Sequence, residues 1–363
     1  MATHPDVVVV GAGIVGAAVF HRLVSAGLKV TCFDQAGPGQ GVTAAGMGHI
    51  AVMDDSDAQM ALCVHSQKRW RELQAQMEDA AETMNGGVTW LAEDEEELAV
   101  CRQKQEFYAQ WGLASEVLDA AQLRDLEPHV SHHLLGAFHL PSDHVVYQPR
   151  CAMWMVRDAV RQGGIYDRRR VTSLDEVQAD RVVLCTGPNL ELLPKWLVIR
   201  PRKGHLMITP KGMPLCRSQL IELGYLKSAH GHADASVAFN LQPRPSGQNL
   251  LGSSREFGVT DPAASPRMLQ WMLDRAVHYV PELADAPILR SWTGFRPATD
   301  DHLPVIGADP FDPRILYAVG HEGLGITTSL ASADLIAAEI LQTAPPLDAA
   351  PYRPDRMVNN HAA

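Results

Sequence analysis

The stretch that most constrains the fold of this chain is residues 6–34, DVVVVGAGIVGAAVFHRLVSAGLKVTCFD. Four valines after Asp6 predict a strand that is buried on both faces, as parallel strands are in layered α/β folds. A glycine-rich turn follows, and apolar residues then recur at helical spacing as far as Gly27, where the helix is expected to end. Residues 29–34 predict a second strand, so the order of elements predicts a Rossmann-like α/β domain.

The turn and the second strand carry the residues of a dinucleotide site. Gly11, Gly13 and Gly16 allow a tight turn and close approach of a pyrophosphate to the helix N-terminus, and Asp34 offers a carboxylate to the ribose hydroxyls. Asp34 would repel a ribose phosphate, which disfavours NADP. The alternative is a glycine-rich turn that binds nothing. The residues expected to contact the dinucleotide here are Gly11, Gly13, Ile14, Val15, Gly16, Asp34 and Gln35.

Three later segments favour FAD over NAD. Residues 39–50, GQGVTAAGMGHI, are small and glycine-rich where an NAD enzyme would normally continue into another helix, so the backbone can lie along an extended ligand. Residues 179–187 predict a strand that ends in Thr-Gly. Residues 315–340 predict a strand, a glycine turn and a helix whose N-terminus would face negative charge, such as that of a reduced flavin; a plain packing unit is the alternative. The expected flavin contacts are Gly41, Val42, Ala45, Gly46, Met47, Thr186, Gly187, Gly294, Gly320, His321, Glu322, Gly323, Leu324, Gly325, Ile326 and Thr327.

Composition excludes several classes of function. The 363 residues include 31 basic and 42 acidic side chains, a net charge of -11, which argues against nucleic-acid binding. The acidic run at 93–97, EDEEE, predicts the first turn of a solvated helix. No signal peptide or membrane span of about 18 apolar residues is visible, so a cytoplasmic protein is expected. The six cysteines lack CxxC spacing and are expected to be small buried residues.

Several motifs occur in one order along nearly the whole chain: VVVVGAGIVGAA, AAGMG, ADRVVLCTGP, RPRKGHLMIT, LLGSSREFG, WTGFRPATDDHLPVIG and VGHEGLGITTS. In this order they resemble the D-amino acid oxidase superfamily of FAD enzymes, close to its glycine oxidase and sarcosine oxidase branch. Within it, AAGMGHIAVMDD and GHEGLGITTS are most similar to catalytic subunits of bacterial D-hydroxyproline dehydrogenases. Opine oxidase and hydrogen cyanide synthase flavin subunits come next.

The resemblance implies an α/β fold in which a Rossmann-like FAD-binding domain carries a discontinuous α+β substrate domain built on an antiparallel sheet. The FAD-binding domain would comprise residues 1–85, 146–203 and 294–363, and the substrate domain residues 86–145 and 204–293. The residues themselves agree, because VTWLA, GAFHLP, GHLMIT, SVAFNLQP and NLLGSS predict short strands. Further predictions are helices over 57–84 and 149–162 and a proline-rich surface tail from Thr343.

The resemblance also suggests roles for three side chains. Arg296 of GFRP would hold the substrate carboxylate, which suits the planar fork of a guanidinium. Its alternative is a structural ion pair with Asp300 or Asp301. His49 is expected beside the flavin, where it would contact a substrate ring or hydroxyl, tune the proton of the amine, or merely fill space. Tyr225 would face the substrate or be an ordinary half-buried tyrosine.

Two departures from the family pattern concern the cofactor. The segment before residue 179 is only about fifteen residues long, shorter than the family's strand meander, and Val171 is carried over there as an adenine contact. No cysteine follows Cys216, so FAD is expected to be non-covalent. A general base is not expected, because hydride transfer from a neutral amine does not require one.

The sequence as a whole predicts an FAD-dependent dehydrogenase or oxidase of small amino or imino acids, with D-hydroxyproline (cis-4-hydroxy-D-proline) as the best single substrate. Glycine, sarcosine or an opine are alternatives. The chain would be part of an oligomer, and it could pass electrons to a partner subunit in a hetero-oligomeric dehydrogenase. A flavin-binding structural or regulatory protein is the non-catalytic alternative.

Overall fold

The computed structural model describes residues 4–224 and 235–359, which form three sheets surrounded by helices. The strands are β1 (Val7–Val10), β2 (Val30–Phe33), β3 (His49–Ile50), β4 (Val88–Ala92), β5 (Glu116–Asp119), β6 (Gly136–Leu140), β7 (His144–Val145), β8 (Ile165–Asp167), β9 (Arg181–Leu184), β10 (Arg200–Ile208), β11 (Gln219–Glu222), β12 (Ala235–Pro243), β13 (Asn249–Phe257), β14 (Arg290–Ala298), β15 (Val305–Ala308) and β16 (Ile315–Val319). The α-helices are α1 (Ile14–Ser25), α2 (Val42–Ala45), α3 (Asp57–Met77), α4 (Glu95–Gln110), α5 (Ala120–Leu126), α6 (Gln148–Arg161), α7 (Pro266–Tyr279), α8 (Gly325–Leu341) and α9 (Asp355–Asn359).

The first sheet has six strands in the order β15-β16-β9-β1-β2-β8. The central strand β1 pairs in parallel with β2 and β9, and all four of its valines are buried, which confirms the prediction of a strand covered on both faces. Among these strands only β15, at one edge, pairs antiparallel with its neighbour. The carboxyl ends of β1, β9 and β16 therefore meet at one edge of the sheet, where glycine-rich loops begin.

Helix α1 follows the first of these loops and covers the sheet together with α6 and α8. It ends as the sequence predicts, with Gly27 in the left-handed region at φ 87°. The N–H groups of Gly27 and Leu28 return to carbonyls of the last turn, at 2.8 and 3.2 Å. Glycine suits this position because it has no Cβ to clash in that conformation.

The second sheet has eight strands in the order β14-β10-β13-β12-β11-β4-β6-β5, and only the β11–β4 pair is parallel. Its longest ladder joins β10 to β14 over nine residue pairs. Arg202 lies opposite Arg296 in this ladder, and Gly204 lies opposite Gly294. Because directly paired residues project to the same face of a sheet, both arginines and both glycines share one face.

The five short strands predicted from the sequence are present, as β4, β6, β10, β12 and β13. The helix predicted over 149–162 is α6. The helix predicted over 57–84 is wrong in length: α3 ends at Met77 and only a short 3-10 turn, Glu78–Ala81, continues it. Met84 instead forms an antiparallel bridge with Val145, and extended backbone cannot continue a helix. The proposed domain boundaries stay a prediction, and β10 and β14 cross two of them.

The acidic run at 93–97 does start a helix. Asp94 caps α4 by accepting a hydrogen bond from the Glu97 N–H at 2.8 Å, and the acidic first turn suits the positive end of the helix. Glu95 and Glu96 are exposed, as expected for a solvated helix. Glu97 differs, since its side chain is buried and accepts a bond from the Glu93 N–H at 2.9 Å.

Other predictions from composition agree with the structure. All six cysteines are free and buried. In the described part of the chain, no helix combines the length and apolar character needed to cross a bilayer. In the tail after Thr343, residues 344–346 are exposed. Tyr352 is buried, and its hydroxyl donates to the Ala58 carbonyl at 2.5 Å, which fixes the tail to α3.

Three histidines, His49, His144 and His321, make the fold sensitive to acid. Burial lowers the pKa of His49 and His144 to about 4 and that of His321 to about 3, below the usual value of about 6.5. Between these values the unfolded chain binds protons that the folded chain does not. The free energy of unfolding therefore falls as the pH falls from about 6.5 towards 4, by about 2 kcal/mol per histidine at pH 5.

Replacement of His144 by phenylalanine tests this linkage at a residue in β7. The stability lost between pH 7 and pH 5 should shrink by about 2 kcal/mol, because the variant has one fewer buried base to protonate on unfolding. Urea unfolding at both pH values measures the difference and cancels any packing defect common to both. The exposed His132, changed to glutamine, is the control. If His144→Phe and the parent chain lose the same free energy of unfolding between pH 7 and pH 5, the low pKa assigned to His144 is contradicted.

Candidate functional site

A large cavity, about 2120 Å³ including the part open to solvent, lies where the carboxyl edge of the six-stranded sheet meets one face of the eight-stranded sheet. Ligands of open α/β sheets bind in this kind of crevice. The predicted residues that line it are Gly13, Ile14, Val15, Gly16, Val42, Ala45, Gly46, Met47, His49, Gly187, Gly294, Arg296, Gly320, His321, Glu322, Gly323, Leu324, Gly325 and Ile326. The predicted residues that the structure places elsewhere are Gly11, Asp34, Gln35, Gly41, Val171, Thr186 and Thr327.

The turn before α1 requires glycine for reasons of space. Gly11 has φ +109°, and a Cβ on it would lie 2.3 Å from the Cys185 carbonyl oxygen. A Cβ on Gly16 would lie 1.9 Å from the Gly11 carbonyl oxygen. The glycines therefore let β1, β9 and the helix start approach one another closely. The N-terminus of α1 faces the cavity, and its first N–H groups have no partners within the helix.

Asp34 supports this turn through three hydrogen bonds to backbone N–H groups. One carboxylate oxygen accepts the Ala12 N–H at 2.8 Å, and the other accepts the N–H groups of Ala36 and Gly37 at 2.7 and 2.8 Å. A carboxylate offers about four lone-pair positions, so one remains for a ribose hydroxyl. Gln35 and Gly41 are exposed outside the cavity.

Residues 42–48 form one wall as a loop that contains the single turn of α2, and side chains from three other elements hold this loop. Gln148 donates to the Thr43 and Gly46 carbonyls at 2.9 and 2.8 Å, and Gln242 donates to the Met47 carbonyl at 2.6 Å. Trp292 donates to the Ala45 carbonyl at 3.3 Å. Sequence reasoning missed all three residues, because nothing in their spacing marks them. The only signal is that two amides, buried in the structure, must find partners.

The loop from Gly320 to Leu324 and the first turn of α8 form the opposite wall. No side chain caps the first turn of this helix. Because that turn lines the cavity, the positive end of the helix dipole faces it. His321 turns its side chain away, since its Nε2 lies 2.9 Å from the Ser332 hydroxyl. Thr327 also points away: it donates to the His49 carbonyl at 3.1 Å and accepts the Ala51 N–H at 3.3 Å, which ties β3 to α8.

Two further predicted contacts come from the segment around β9. Gly187 lines the cavity, and next to it the Thr186 hydroxyl is buried without a hydrogen-bond partner among the described residues. Val171 lies in the apolar core below the sheet with residues of β1, β2 and β9. The structure thus brings Gly187 to the site and keeps Val171 in the core.

Arg296 lies on the wall formed by the eight-stranded sheet. Its Nη1 donates to the Ser254 carbonyl at 3.0 Å, and both of its Nη atoms would lie 2.7 Å from a Cβ on Gly204. The guanidinium therefore occupies the space that glycine leaves. Asp300 pairs with Arg200 at 2.5 Å and Asp301 with Arg356 at 2.6 Å. The alternative that Arg296 forms an ion pair with either aspartate is wrong.

Other charges surround Arg296. Glu322 accepts a hydrogen bond from Arg202 and lies 3.1 Å from His302, and this hydrogen bond raises the pKa of His302. Burial would raise the pKa of Glu322, but His302 and the nearby arginines hold it below its usual range. Arg255 also lines the cavity, and burial lowers its pKa to about 10. Glu322 therefore shares its charge between Arg202 and His302, on the wall that also carries Arg296 and Arg255.

Burial also lowers the pKa of Arg296, while Glu322 raises it. Among residues 4–224 and 235–359, no carboxylate forms an ion pair with Arg296. A cation that is removed from water without a counter-ion is costly, which makes this position suited to an anionic ligand. No sequence pattern predicts that Arg296 lacks a carboxylate partner among the described residues, because this depends on which partners Asp300 and Asp301 find.

His49 lines the same cavity, and its Nδ1 is buried without a partner in the described part of the chain. Burial, followed by the charge of Arg296, lowers its pKa to about 4, so the imidazole is neutral at pH 7. Tyr225 lies outside the described residues. Cavity residues that sequence reasoning missed include Trp90, Ile221, Phe239 and Asn240, which project from β4, β11 and β12.

The arrangement fits the dinucleotide expected from the sequence. Two helix N-termini face the cavity, and the glycine turn admits a pyrophosphate. Buried polar atoms of His49 and Arg202, in the cavity lining, lack partners among the described residues, and a bound group can supply them. A small acid held by Arg296 would lie against the same wall. The site is therefore chemically suited to a dinucleotide cofactor beside an anionic substrate.

Comparisons with known proteins agree with this assignment. The family model described as FAD dependent oxidoreductase matches residues 6–339. Glycine oxidase of Bacillus subtilis (strain 168) is 26% identical over 363 residues, which cover 93% of this chain and 93% of that protein. The bifunctional protein ThiO/ThiG of Trichormus variabilis is 26% identical over 366 residues, covering 93% of this chain and 53% of that protein.

The crystal structure of L-proline dehydrogenase from P. horikoshii shares the fold, with a TM-score of 0.86 and 19% identity over 99% of both chains. The family match extends over most of the chain and includes the turn before α1, the loop at residues 42–48, Arg296 and the start of α8. Since both the sequence and the cavity carry its features, this chain belongs to the FAD dependent oxidoreductase family.

Proposed function

We propose that this FAD-dependent oxidoreductase oxidises a small amino or imino acid, and that cis-4-hydroxy-D-proline is its preferred substrate. The observation that carries the proposal is the guanidinium of Arg296. It lies in the cavity between the loops expected to hold FAD, with no carboxylate of its own among the described residues. An amino acid supplies the missing carboxylate.

Arg296 binds and orients the substrate. A guanidinium forms two parallel hydrogen bonds with a carboxylate, which fixes the plane of the acid group and so the position of the neighbouring carbon. FAD held in this cavity would supply the hydride acceptor for the carbon that bears the amine. The neutral imidazole of His49 can accept or donate one hydrogen bond beside Arg296, and its low pKa makes it a weak proton acceptor.

The cavity residues Val15, Gly16, Met47, Gly187 and Gly325 would lie along FAD, with the two helix N-termini near its anionic groups. Non-covalent binding is part of the proposal. The one cysteine that lines the cavity, Cys185, is buried, and burial raises the pKa of its thiol. A protonated thiol is a poor nucleophile, so it is not suited to a covalent link.

Preference for a hydroxylated ring is supported by the far part of the cavity. Trp90, Ile221 and Phe239 offer apolar surface there. Asn240 uses its carbonyl oxygen to accept a bond from Gln219 at 3.0 Å, which leaves its amide N–H groups for a polar substituent. Glycine and sarcosine lack both the ring and the substituent.

An opine, which carries two carboxylates, is the second candidate substrate. The observation that favours it is Arg255, a second guanidinium on the wall of the same cavity. The proposal includes an oligomer with an electron-accepting partner subunit. The charges in the cavity concern substrate binding and are compatible with this electron acceptor.

Substitution of Arg296 by methionine should raise KM for the amino acid by one to two orders of magnitude. A charge-assisted pair contributes about 1.5–3 kcal/mol, and each tenfold change corresponds to about 1.4 kcal/mol. Steady-state kinetics with FAD-loaded protein measures the change. Arg200→Met is the matched control, because Arg200 is exposed and pairs with Asp300 outside the cavity. Unchanged KM in Arg296→Met would refute the assigned role.

Gly204→Ala tests whether the space under the guanidinium matters. The new Cβ would lie 2.7 Å from both Nη atoms, so Arg296 must move. Displacement of an anchoring group by about 1 Å can cost up to about a hundredfold in rate, and kcat/KM should fall by tenfold or more while bound FAD is retained. The ratio of flavin to protein absorbance reports FAD content separately. A variant with parental kcat/KM would show that Arg296 does not need this position.

A substrate panel tests the reaction itself. Anaerobic addition of the correct amine should bleach the flavin absorbance, whereas a non-catalytic flavoprotein would keep its colour with every compound. The panel contains the D and L forms of proline and 4-hydroxyproline, glycine, sarcosine and opines. Faster bleaching by cis-4-hydroxy-D-proline than by D-proline is the expected result. Bleaching by opines alone would establish the second candidate instead.

A further inference from the structure

A cluster of potential metal ligands lies on the protein surface, away from the cavity. Glu93 follows β4, His133 lies in the connection between α5 and β6, and His278 lies in the last turn of α7. One ligand atom from each residue lies within 4.8 Å of the other two. The two imidazoles are exposed and the carboxylate is partly buried, so solvent ions can reach them.

Each of these side chains is also positioned by a neighbour. The Ser131 hydroxyl lies 2.7 Å from Nδ1 of His133, which leaves Nε2 as the free ring nitrogen. Oε1 of Glu93 accepts a hydrogen bond from the Tyr279 hydroxyl, and Oε2 lies 3.1 Å from Nε2 of His278. Such outer partners orient metal ligands and fix their tautomers in known metal sites.

We propose that Glu93, His133 and His278 bind a divalent transition metal ion, of which zinc is the best candidate. Two imidazoles and one carboxylate are the ligands that zinc takes when a fourth position remains for water. Zinc bonds of about 2.0–2.2 Å require ligand atoms about 3.3 Å apart. The ligand atoms lie within 4.8 Å of one another, so movements of up to about 1.5 Å would bring them to this spacing.

The surrounding charges permit a cation here. Arg275 is the nearest positive group, with its Nη2 3.4 Å from Glu93, but its main partner is the buried Glu222, which its Nε contacts at 2.7 Å. Oε1 of Glu93 already accepts from Tyr279 and Arg275, so a metal ion would bind Oε2, in place of that oxygen's contact with His278.

A metal ion bound here would join three segments of the chain: the end of β4, the connection between α5 and β6, and the last turn of α7. The same network reaches the cavity wall, because the Tyr279 hydroxyl, whose proton goes to Glu93, lies 2.9 Å from Glu222, and Glu222 accepts the Phe239 N–H at 2.9 Å. Phe239 lines the cavity. A bound ion would therefore stabilise the element that supports this wall, whatever substrate the enzyme uses.

Calorimetric titration of zinc chloride into tag-free, EDTA-treated holoenzyme tests the proposal. One saturable site is expected, with affinity at least tenfold weaker in His133→Ala/His278→Ala. His129→Ala is the matched control, because His129 is a partly exposed histidine that contacts the carboxylate of Glu282 at 3.2 Å. Affinity should fall as the pH is lowered from neutrality, since the imidazoles must lose protons to bind.

Thermal unfolding provides a second measurement. Saturating zinc should raise the unfolding temperature of the parent by a few degrees and leave the double variant unchanged, because a ligand stabilises the state that binds it. His230 and His232 lie outside the described residues, and a variant lacking both should keep the site. Absence of zinc binding in the parent, or equal binding by His133→Ala/His278→Ala, would overturn the proposal.

Discussion

The antiparallel pairing of β10 with β14 is the constraint on which the site depends. It sets Gly204 opposite Gly294 and Arg202 opposite Arg296, all on the face that borders the cavity. A shift of one residue would send these side chains to the other face of the sheet. In the observed register, Gly204 leaves space for the Arg296 guanidinium. A Cβ on Gly294 would lie 2.8 Å from the Ala45 side chain, in the loop at residues 42–48.

Charge distribution then decides which arginine is available to a ligand. Glu322 lies in the loop before α8, with φ 48°. Its carboxylate is shared by Arg202 and His302. Arg202 also stacks on Phe257, with its guanidinium carbon 4.4 Å from the ring centroid. Arg202 thus has a carboxylate partner, although its Nε is buried without a hydrogen bond among the described residues, whereas Arg296 donates to one backbone carbonyl. A buried cation in that position favours an anionic ligand.

Local sequence predicted much of the framework. The valines of β1, the glycine turn, α1 and its end at Gly27 follow from rules that act over a few residues. The helix start at the acidic run 93–97 and the burial of all six cysteines are of the same kind. The length of α3 was overestimated because the bridge between Met84 and Val145 joins residues about sixty positions apart. Gln148, Gln242 and Trp292 were missed because their carbonyl partners are likewise distant in sequence.

The sequence by itself determined that this chain has a dinucleotide-binding turn, a glycine-rich loop after the second strand and an arginine in a GFRP motif, since each depends on neighbouring residues. Only the tertiary structure decided that Asp300 and Asp301 pair with Arg200 and Arg356, so that Arg296 has no carboxylate partner among the described residues. It also decided that Val171 joins the core and Gly187 the cavity. The physical reason is that ion pairing and burial depend on distances between segments, which strand register and sheet packing fix.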